Sequence, residues 1–136
     1  MKLSIYTDGG SRGNPGISGF GVAIYNDNQV IIAKISKYIG IKTNNEAEYS
    51  AMIEALTLVR DHQSEVNEVN FYSDSQLLVR QILGKYKVKA KNIQPLHQTV
   101  ISLLNQIKPP CYFNEVLRES NQLADELANQ AMDRKQ

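Results

Sequence analysis

The sequence predicts an α/β protein with a five-stranded mixed sheet flanked by helices. Three short segments rich in Val, Ile and Tyr open the chain and are bounded by turn residues, which is typical of a β-meander. Helical and strand patterns then alternate, so that the predicted order is βββ-α-β-α-α-β-α. This alternation after a meander favours a sheet of both strand directions with helices on its faces.

Length and composition set the broad class. The 136 residues suit one domain with a sizeable core, so we expect a single catalytic domain over residues 1–136. No apolar run approaches the roughly 20 residues of a membrane helix, and the N-terminus lacks the apolar region of a signal peptide. The single cysteine, Cys111, cannot form an internal disulfide, and we expect it in the core of a cytoplasmic protein.

The first three strands are predicted over residues 2–8, 20–25 and 29–39, with a hairpin turn at residues 26–28. Asp8 ends the first strand and precedes a segment with four glycines and a proline in eight residues. A carboxylate beside such a loop is well placed to hold a metal at the rim of a sheet. The alternative is that Asp8 only caps its own turn.

A helix is predicted to begin after residues 42–45 and to end near His62, with Asn44 or Asn45 as its N-cap. Its apolar stripe follows Glu48 by three, four, seven, eight and eleven residues, so Glu48 points to the same side as the stripe. An ionised carboxylate that faces the core is costly unless it is paired or bound to a metal. Glu48 is therefore a candidate ligand, with a structural role as the alternative.

The second half of the chain repeats this pattern. A strand over residues 68–72 is followed by Asp74 and a helix over residues 76–83, so Asp74 is either a site carboxylate or a helix N-cap. Pro95 suits the first turn of a helix that ends near residue 107, and a fifth strand covers residues 111–117. A polar turn leads to the last helix, where Asp125 lies beside the apolar stripe, and residues 133–136 are expected to be frayed.

The charges are segregated although the net charge is only +1. Residues 75–114 contain no Asp or Glu but hold six positive side chains, Arg80, Lys85, Lys87, Lys89, Lys91 and Lys108. If the segment around Tyr86 is extended, its period of two puts three ammonium groups on one face. This basic segment indicates either an anionic partner or a solvated charged face.

Four carboxylates, Asp8, Glu48, Asp74 and Asp125, converge at one sheet edge if the first strand is central and the fourth lies beside it. Clustered anions repel one another and shift their pKa values unless cations lie between them. Ligand sets made only of oxygen favour Mg²⁺ or Mn²⁺ over zinc. Two such ions about 4 Å apart suit in-line phosphoryl transfer.

With these motifs the chain resembles the type 1 ribonucleases H. The resemblance is carried by Thr7-Asp8-Gly9-Gly10-Ser11-x-Gly13-Asn14-Pro15-Gly16, Thr43-Asn44-Asn45-Glu46-Ala47-Glu48-Tyr49, Ser73-Asp74-Ser75-Gln76 and Asn121-x-x-Ala124-Asp125-x-Leu127-Ala128. It implies the ribonuclease H-like fold. It also implies hydrolysis of the RNA strand of RNA–DNA hybrids by water, with two metal ions, leaving 5′-phosphate and 3′-hydroxyl ends.

The resemblance also implies residue roles. The four carboxylates match the catalytic metal ligands, for which we expect two Mg²⁺ ions, with Mn²⁺ able to substitute. Thr43 matches a contact to a DNA phosphate. The positions that match contacts to the hybrid are Gly9, Ser11, Asn14, Asn44, Asn45 and Gln76. Such groups can recognise a 2′-hydroxyl, which both donates and accepts hydrogen bonds.

The chain departs from the family pattern in two places. Many members carry a histidine on a loop before the last helix, whereas here Arg118 is the only cation between residues 116 and 121. Arg118 would contact the scissile phosphate or help metal exchange, unless it is a plain surface residue. A longer basic protrusion of some members is reduced to residues 84–94, where Lys85, Lys87, Lys89 and Lys91 would be its substitute. The first three of these lysines are the candidate contacts to the hybrid.

Two rival hypotheses remain open at this point. A hybrid-binding module without catalysis would show a broken carboxylate set, whereas all four positions are acidic here. A nuclease with another substrate, such as double-stranded RNA or an RNA–DNA junction, fits the altered loop and protrusion. We expect a monomer that acts away from membranes.

Overall fold

A computed structural model describes residues 1–135 and confirms the mixed sheet. The strands are β1 (Lys2–Arg12), β2 (Gly16–Tyr25), β3 (Ile31–Lys42), β4 (Glu68–Ser73) and β5 (Cys111–Glu115). The helices are α1 (Asn44–Asp61), α2 (Gln76–Ile82), α3 (Gln94–Asn105) and α4 (Gln122–Arg134), with short 3₁₀ turns at Gln63–Glu65 and Arg118–Ser120. The predicted element order is therefore confirmed, while a single domain over residues 1–136 stays a prediction.

The sheet has the strand order β3-β2-β1-β4-β5, so the first strand is central and the fourth lies beside it. The first three strands pair antiparallel, whereas β4 runs parallel to both β1 and β5. The register pairs Thr7 with Ser73. The residues that follow them, Asp8 and Asp74, consequently lie at the same edge of the sheet.

Helices cover the two faces of the sheet. Helix α1 packs on β1 and β2 and is backed by α3, while α4 packs on β2, β3 and β1 from the other side. The main core lies between the sheet and α1, and its largest fully buried side chains include Tyr49, Phe71, Ile5, Met52 and Leu56. Cys111 is half-buried against this core, and burial raises the pKa of its thiol to about 11.

Strand β1 is longer than predicted and continues through the glycine-rich segment to Arg12. The prediction that Asp8 ends the strand was wrong, because the antiparallel ladder pairs Asp8 with Gly21 and continues as far as Arg12 with Ile17. Ladder hydrogen bonds use only the backbone, so Gly9 and Gly10 can pair like any other residue. The neighbouring bounds shift too, with β2 starting at residue 16 and β3 covering residues 31–42.

Thr43, rather than Asn44 or Asn45, caps α1. The Glu46 backbone N–H donates to Thr43 Oγ1 at 3.1 Å, and the Thr43 backbone N–H donates to Glu46 Oε1 at 2.9 Å. This reciprocal pair is a capping box, and its Thr-x-x-Glu spacing was present in the sequence. The prediction of an asparagine cap was therefore wrong, because Thr43 and Glu46 already had the spacing of a capping box.

The basic segment after α2 is a loop and not an extended strand. Gly84 takes a left-handed conformation with φ of +79° just after the helix, and the N–H groups of Lys85 and Tyr86 donate to Arg80 O. Such a glycine is a common helix stop. These two hydrogen bonds turn the chain back onto the end of α2, so the segment stays a loop in which the side chains of Lys85, Lys87 and Lys89 are exposed.

Two further expectations changed near the C-terminus. Strand β5 ends at Glu115, because a 3₁₀ turn starts at Arg118 and leads the chain towards α4. Helix α4 continues through Arg134, so residues 133 and 134 are helical and not frayed, while Gln136 lies outside the described residues. Within residues 1–135, no helix combines the length and the apolar character that crossing a membrane requires.

Candidate active site

Three carboxylates meet where β1, α1 and β4 come together. Asp8, Glu48 and Asp74 each offer one oxygen, and these oxygens lie within 4.8 Å of one another. Asp8 and Glu48 are buried, with 7% and 9% of their surface exposed. The spatial convergence predicted for these three side chains is thus present in the structure.

Asp125 reaches the same place from α4. It lies outside the group of three, yet it lines the same cavity of about 560 Å³ as the other carboxylates. It also approaches Asp8 closely enough to raise the pKa of that residue. All four predicted carboxylates therefore line one cavity, three with oxygens within 4.8 Å of one another and the fourth beside Asp8.

Burial and mutual repulsion raise the pKa values of the carboxylates Asp8 and Glu48. Burial, the nearby charge of Asp74 and the contact with Asp125 raise the pKa of Asp8 from the usual 3.8 to about 8. Burial and the charges of Asp8 and Asp74 also raise the pKa of Glu48 well above its usual range. A hydrogen bond from the Gly9 N–H to Glu48 Oε1, at 2.8 Å, and the positive charge of Arg118 oppose this shift. The site is therefore short of positive charge and suited to bind cations.

A close approach of backbones holds Glu48 at the cluster. A Cβ atom on Gly9 would lie 2.3 Å from the Ala47 carbonyl carbon and 2.5 Å from the Glu48 nitrogen. Only glycine lets the first turn of α1 come this near to β1. Gly9 as a contact to a hybrid stays a prediction, but the packing alone already requires glycine there.

The loop after β4 leaves Asp74 free to face the cavity. Ser75, and not Asp74, caps α2, because Ser75 Oγ accepts a hydrogen bond of 3.2 Å from the Leu78 N–H. Ser73 Oγ accepts from the Ser75 N–H at 3.0 Å and shapes the same turn. The alternative that Asp74 is only a helix cap is therefore excluded.

Asn121 positions Asp125, a function that the sequence alone did not assign. Its buried side chain donates from Nδ2 to Thr7 O at 2.9 Å, directly beside Asp8. The backbone carbonyl of Asn121 accepts a hydrogen bond from the Asp125 N–H at 3.1 Å. Asn121 thus joins the start of α4 to β1 between two of the carboxylates. The Asn121-x-x-x-Asp125 spacing was the available signal, since a helix bonds residues four apart.

Only some of the predicted hybrid contacts line the cavity of the carboxylates. The Asn44 side chain accepts from the Ser11 N–H at 2.8 Å, and the Asn44 N–H donates to Asn14 Oδ1 at 3.0 Å. Ser11 and Asn44 line the cavity, while Asn45 and Gln76 are exposed outside it. The Thr43 hydroxyl already caps α1, so a phosphate would have to share it.

The predicted cations differ in position. Arg118 is exposed and lines the cavity, near enough to Glu48 to oppose the rise of its pKa. Lys85 lines a separate groove beside β5, and neither Lys87 nor Lys89 borders the carboxylate cavity. The structure thus brings Arg118 to the carboxylates, whereas none of the three lysines lines their cavity.

The metal-free protein is expected to lose stability as the pH rises from about 4 to about 8. Asp8 has a pKa of about 8 in the folded chain but close to 3.9 when unfolded. Between these values the folded state holds a proton that the unfolded state has released, so the free energy of unfolding falls with rising pH. Urea unfolding in EDTA across this range measures the slope.

The matched variant for this measurement is Asp8→Asn. It removes the titrating carboxyl, so the decline of stability with pH should become shallower. An identical pH dependence in the two proteins would contradict the assignment of the raised pKa to Asp8.

Comparisons with known proteins agree with this geometry. A family model described as reverse transcriptase-like matches residues 6–131. The bifunctional protein Rv2228c of Mycobacterium tuberculosis is 38% identical over 136 residues, covering 98% of this chain and 36% of that protein. Ribonuclease H of Ruthia magnifica is 32% identical over 148 residues, covering 98% of this chain and 97% of that protein. The chain thus spans about a third of the length of the mycobacterial relative.

Solved structures give the same likeness. LC11-RNase H1, in a crystal structure with an RNA/DNA hybrid, superposes with a TM-score of 0.91 and 40% identity over 97% of both chains. The RNase H1 of Halobacterium salinarum gives a TM-score of 0.91 at 32% identity, covering 98% of this chain and 99% of that one.

Proposed function

The chain belongs to the ribonuclease H family, and from this premise we propose that it is an endonuclease that hydrolyses the RNA strand of RNA–DNA hybrids. Its products would carry 5′-phosphate and 3′-hydroxyl ends. One observation carries the proposal: Asp8, Glu48 and Asp74 present oxygens within 4.8 Å of one another in a cavity that Asp125 also lines. We further propose that the chain works as one catalytic domain, as a monomer and in the cytoplasm.

The four carboxylates fit divalent cations on their own chemistry. They supply only oxygen donors, which Mg²⁺ and Mn²⁺ prefer. The raised pKa values of Asp8 and Glu48 mean that a cation would relieve an existing repulsion. When bound, two such ions would activate a water and stabilise the leaving oxygen of an in-line displacement. We therefore assign two Mg²⁺ ions to these residues, with Mn²⁺ as a substitute.

The protein's own groups would select and orient the strand to be cut. Ser11 and Asn44, which line the cavity, and Asn14, which is hydrogen-bonded to Asn44, can exchange hydrogen bonds with a 2′-hydroxyl, which deoxyribose lacks. Asn45, Gln76 and Gly9 would extend this contact along the hybrid, and Thr43 would meet a phosphate of the DNA strand. Arg118, at the mouth of the cavity, would neutralise charge near the scissile phosphate.

Incubation with labelled substrates tests the function directly. RNA–DNA hybrid, duplex RNA, an RNA–DNA junction and duplex DNA are each supplied with Mg²⁺, Mn²⁺ or EDTA. We expect cleavage of the hybrid's RNA strand only with a divalent ion. Binding of the hybrid without cleavage would favour a module that lacks catalysis, and preferred cleavage of duplex RNA or of the junction would change the substrate.

Replacing Lys85, Lys87 and Lys89 together with alanine is expected to raise KM for the hybrid and to weaken its salt dependence. Each lost phosphate contact lowers the log–log salt slope by about 0.9, so three contacts would lower it by about 2.7. Steady-state kinetics at several salt concentrations measure this. Replacement of Lys34, an exposed lysine on β3, is the control. An unchanged KM in the triple variant would place the three lysines away from the substrate.

A further inference from the structure

Two arginines border the carboxylate cavity at different points along α4. Among the described residues that line it, Arg12 and Arg118 are the cations. Arg118 lies in the turn just before the helix, whereas Arg12, at the end of β1, contacts Asn129 and Asp133 further along it. The acidic cluster thus lies between two positive side chains, an arrangement suited to a strand that carries several phosphates.

Arg12 is held by a weak and exposed set of contacts. Its Nη1 lies 2.7 Å from Asp133 Oδ1, and its Nη2 donates to Asn129 Oδ1 at 3.3 Å. The side chains of Arg12 and Asp133 are 44% and 66% exposed. Exposed ion pairs of this kind contribute little to stability, because water and salt screen the two charges. An incoming phosphate can therefore replace Asp133 at small cost.

The spacing along α4 matches nearby nucleotides of one strand. Asn129 and Asp133 follow Asp125 by four and eight residues, which is about 6 and 12 Å along a helix axis. One strand of a nucleic-acid duplex rises about 3.4 Å per nucleotide. A strand that runs along α4 with its scissile phosphate at the carboxylates would thus bring a phosphate about two to four nucleotides away to the guanidinium. Arginine suits this contact, because its planar group can donate two parallel hydrogen bonds to phosphate oxygens.

We propose that Arg12 binds a phosphate of the RNA strand about two to four nucleotides from the cleavage point, exchanging Asp133 for that phosphate when the hybrid binds. This inference rests on the proposed function and adds a substrate contact to the same site. Asn129 keeps the guanidinium at the cavity wall while the exchange takes place. Before the RNA binds, the ion pair with Asp133 holds the Arg12 side chain in position.

The test compares the two partners of one ion pair. The dissociation constant of a labelled hybrid is measured at several salt concentrations by fluorescence anisotropy, in the Asp8→Asn background so that the substrate stays intact. Arg12→Gln should raise the dissociation constant about tenfold, the usual loss for a hydrogen bond to a charged group. It should also lower the log–log salt slope by about 0.9. Arg12→Lys should restore the salt slope, because it keeps the charge.

Asp133→Asn is the matched control, since it breaks the same ion pair but leaves Arg12 free. If Arg12→Gln weakens hybrid binding while Asp133→Asn binds the hybrid as tightly as the parent, or more tightly, the proposal is supported. If the pair has only a structural role, Asp133→Asn and Arg12→Gln should weaken binding equally and lower the melting temperature together, which would overturn it. Should Arg12→Gln not fold, Arg12→Lys still tests the contact, because lysine keeps the charge but loses the paired hydrogen bonds, so the dissociation constant should rise at an unchanged salt slope. An unchanged dissociation constant in Arg12→Lys would then overturn the proposal. Hybrid cleavage by the unmodified protein, scored separately, shows whether the proposed function itself holds.

Discussion

Replacement of Asp8 with asparagine is expected to abolish hydrolysis of RNA–DNA hybrids with Mg²⁺, lowering kcat by about 10³-fold or more. Such a loss corresponds to about 4 kcal/mol of transition-state stabilisation. Asp8 is the carboxylate that both Asp74 and Asp125 approach, so it connects the group of three to the fourth ligand. Asparagine keeps the shape and one oxygen but removes the charge that would bind a divalent ion.

The same change should leave the fold intact. The substituted amide would have no charge to bury next to Asp74, so the free energy of unfolding at pH 8 without metal should not fall. Single-turnover cleavage and urea unfolding measure the two effects on the same preparation. Asp61→Asn, the same substitution at an exposed site at the end of α1, is the control and should keep full activity. Substantial cleavage by Asp8→Asn would remove the metal cluster from the mechanism.

Replacement of Gly9 with alanine is expected to lower the free energy of unfolding by about 3 kcal/mol, at the upper end of the usual cost of overpacking. The added methyl would meet backbone atoms of Ala47 and Glu48 at 2.3–2.5 Å. Backbone cannot rotate away, so the start of α1 must move off the sheet. Because Glu48 lies in that turn, cleavage should fall together with stability.

Gly10 provides the matched control for this experiment. An added methyl at Gly10 would meet Met132 Cε at 3.2 Å, the end of a flexible side chain that can turn aside. Gly10→Ala should therefore change stability by less than about 1 kcal/mol, partly offset by the preference of strands for alanine over glycine. Guanidinium unfolding of both variants gives the comparison. Equal stability of the two variants would show that the approach of α1 to β1 is not tight.

Much of the architecture could be predicted from local patterns. Side-chain periods of two and 3.6 gave the order of the elements, and the position of Glu48 relative to the apolar stripe of its helix predicted its buried orientation. Asp74 was ambiguous in the sequence, because both a site carboxylate and an N-cap fit the same position. The structure resolved it through Ser75, whose hydroxyl caps the helix instead.

The errors came from interactions between distant parts of the chain. The glycines after Asp8 look like a loop in isolation, but pairing with β2 makes them part of a strand. Local pattern describes what a segment can form, while the available pairing partners select what it does form.

The sequence by itself determined which elements form, in which order, and which four acidic residues could serve as ligands. Only the tertiary structure decided that three of these carboxylates meet within 4.8 Å and that Arg12 pairs with Asp133 beside them. The physical reason is that burial, pKa and ligand geometry depend on neighbours that folding brings together from far along the chain. Strand register and the close contact of Gly9 with α1 set those distances, and both arise only in the assembled fold.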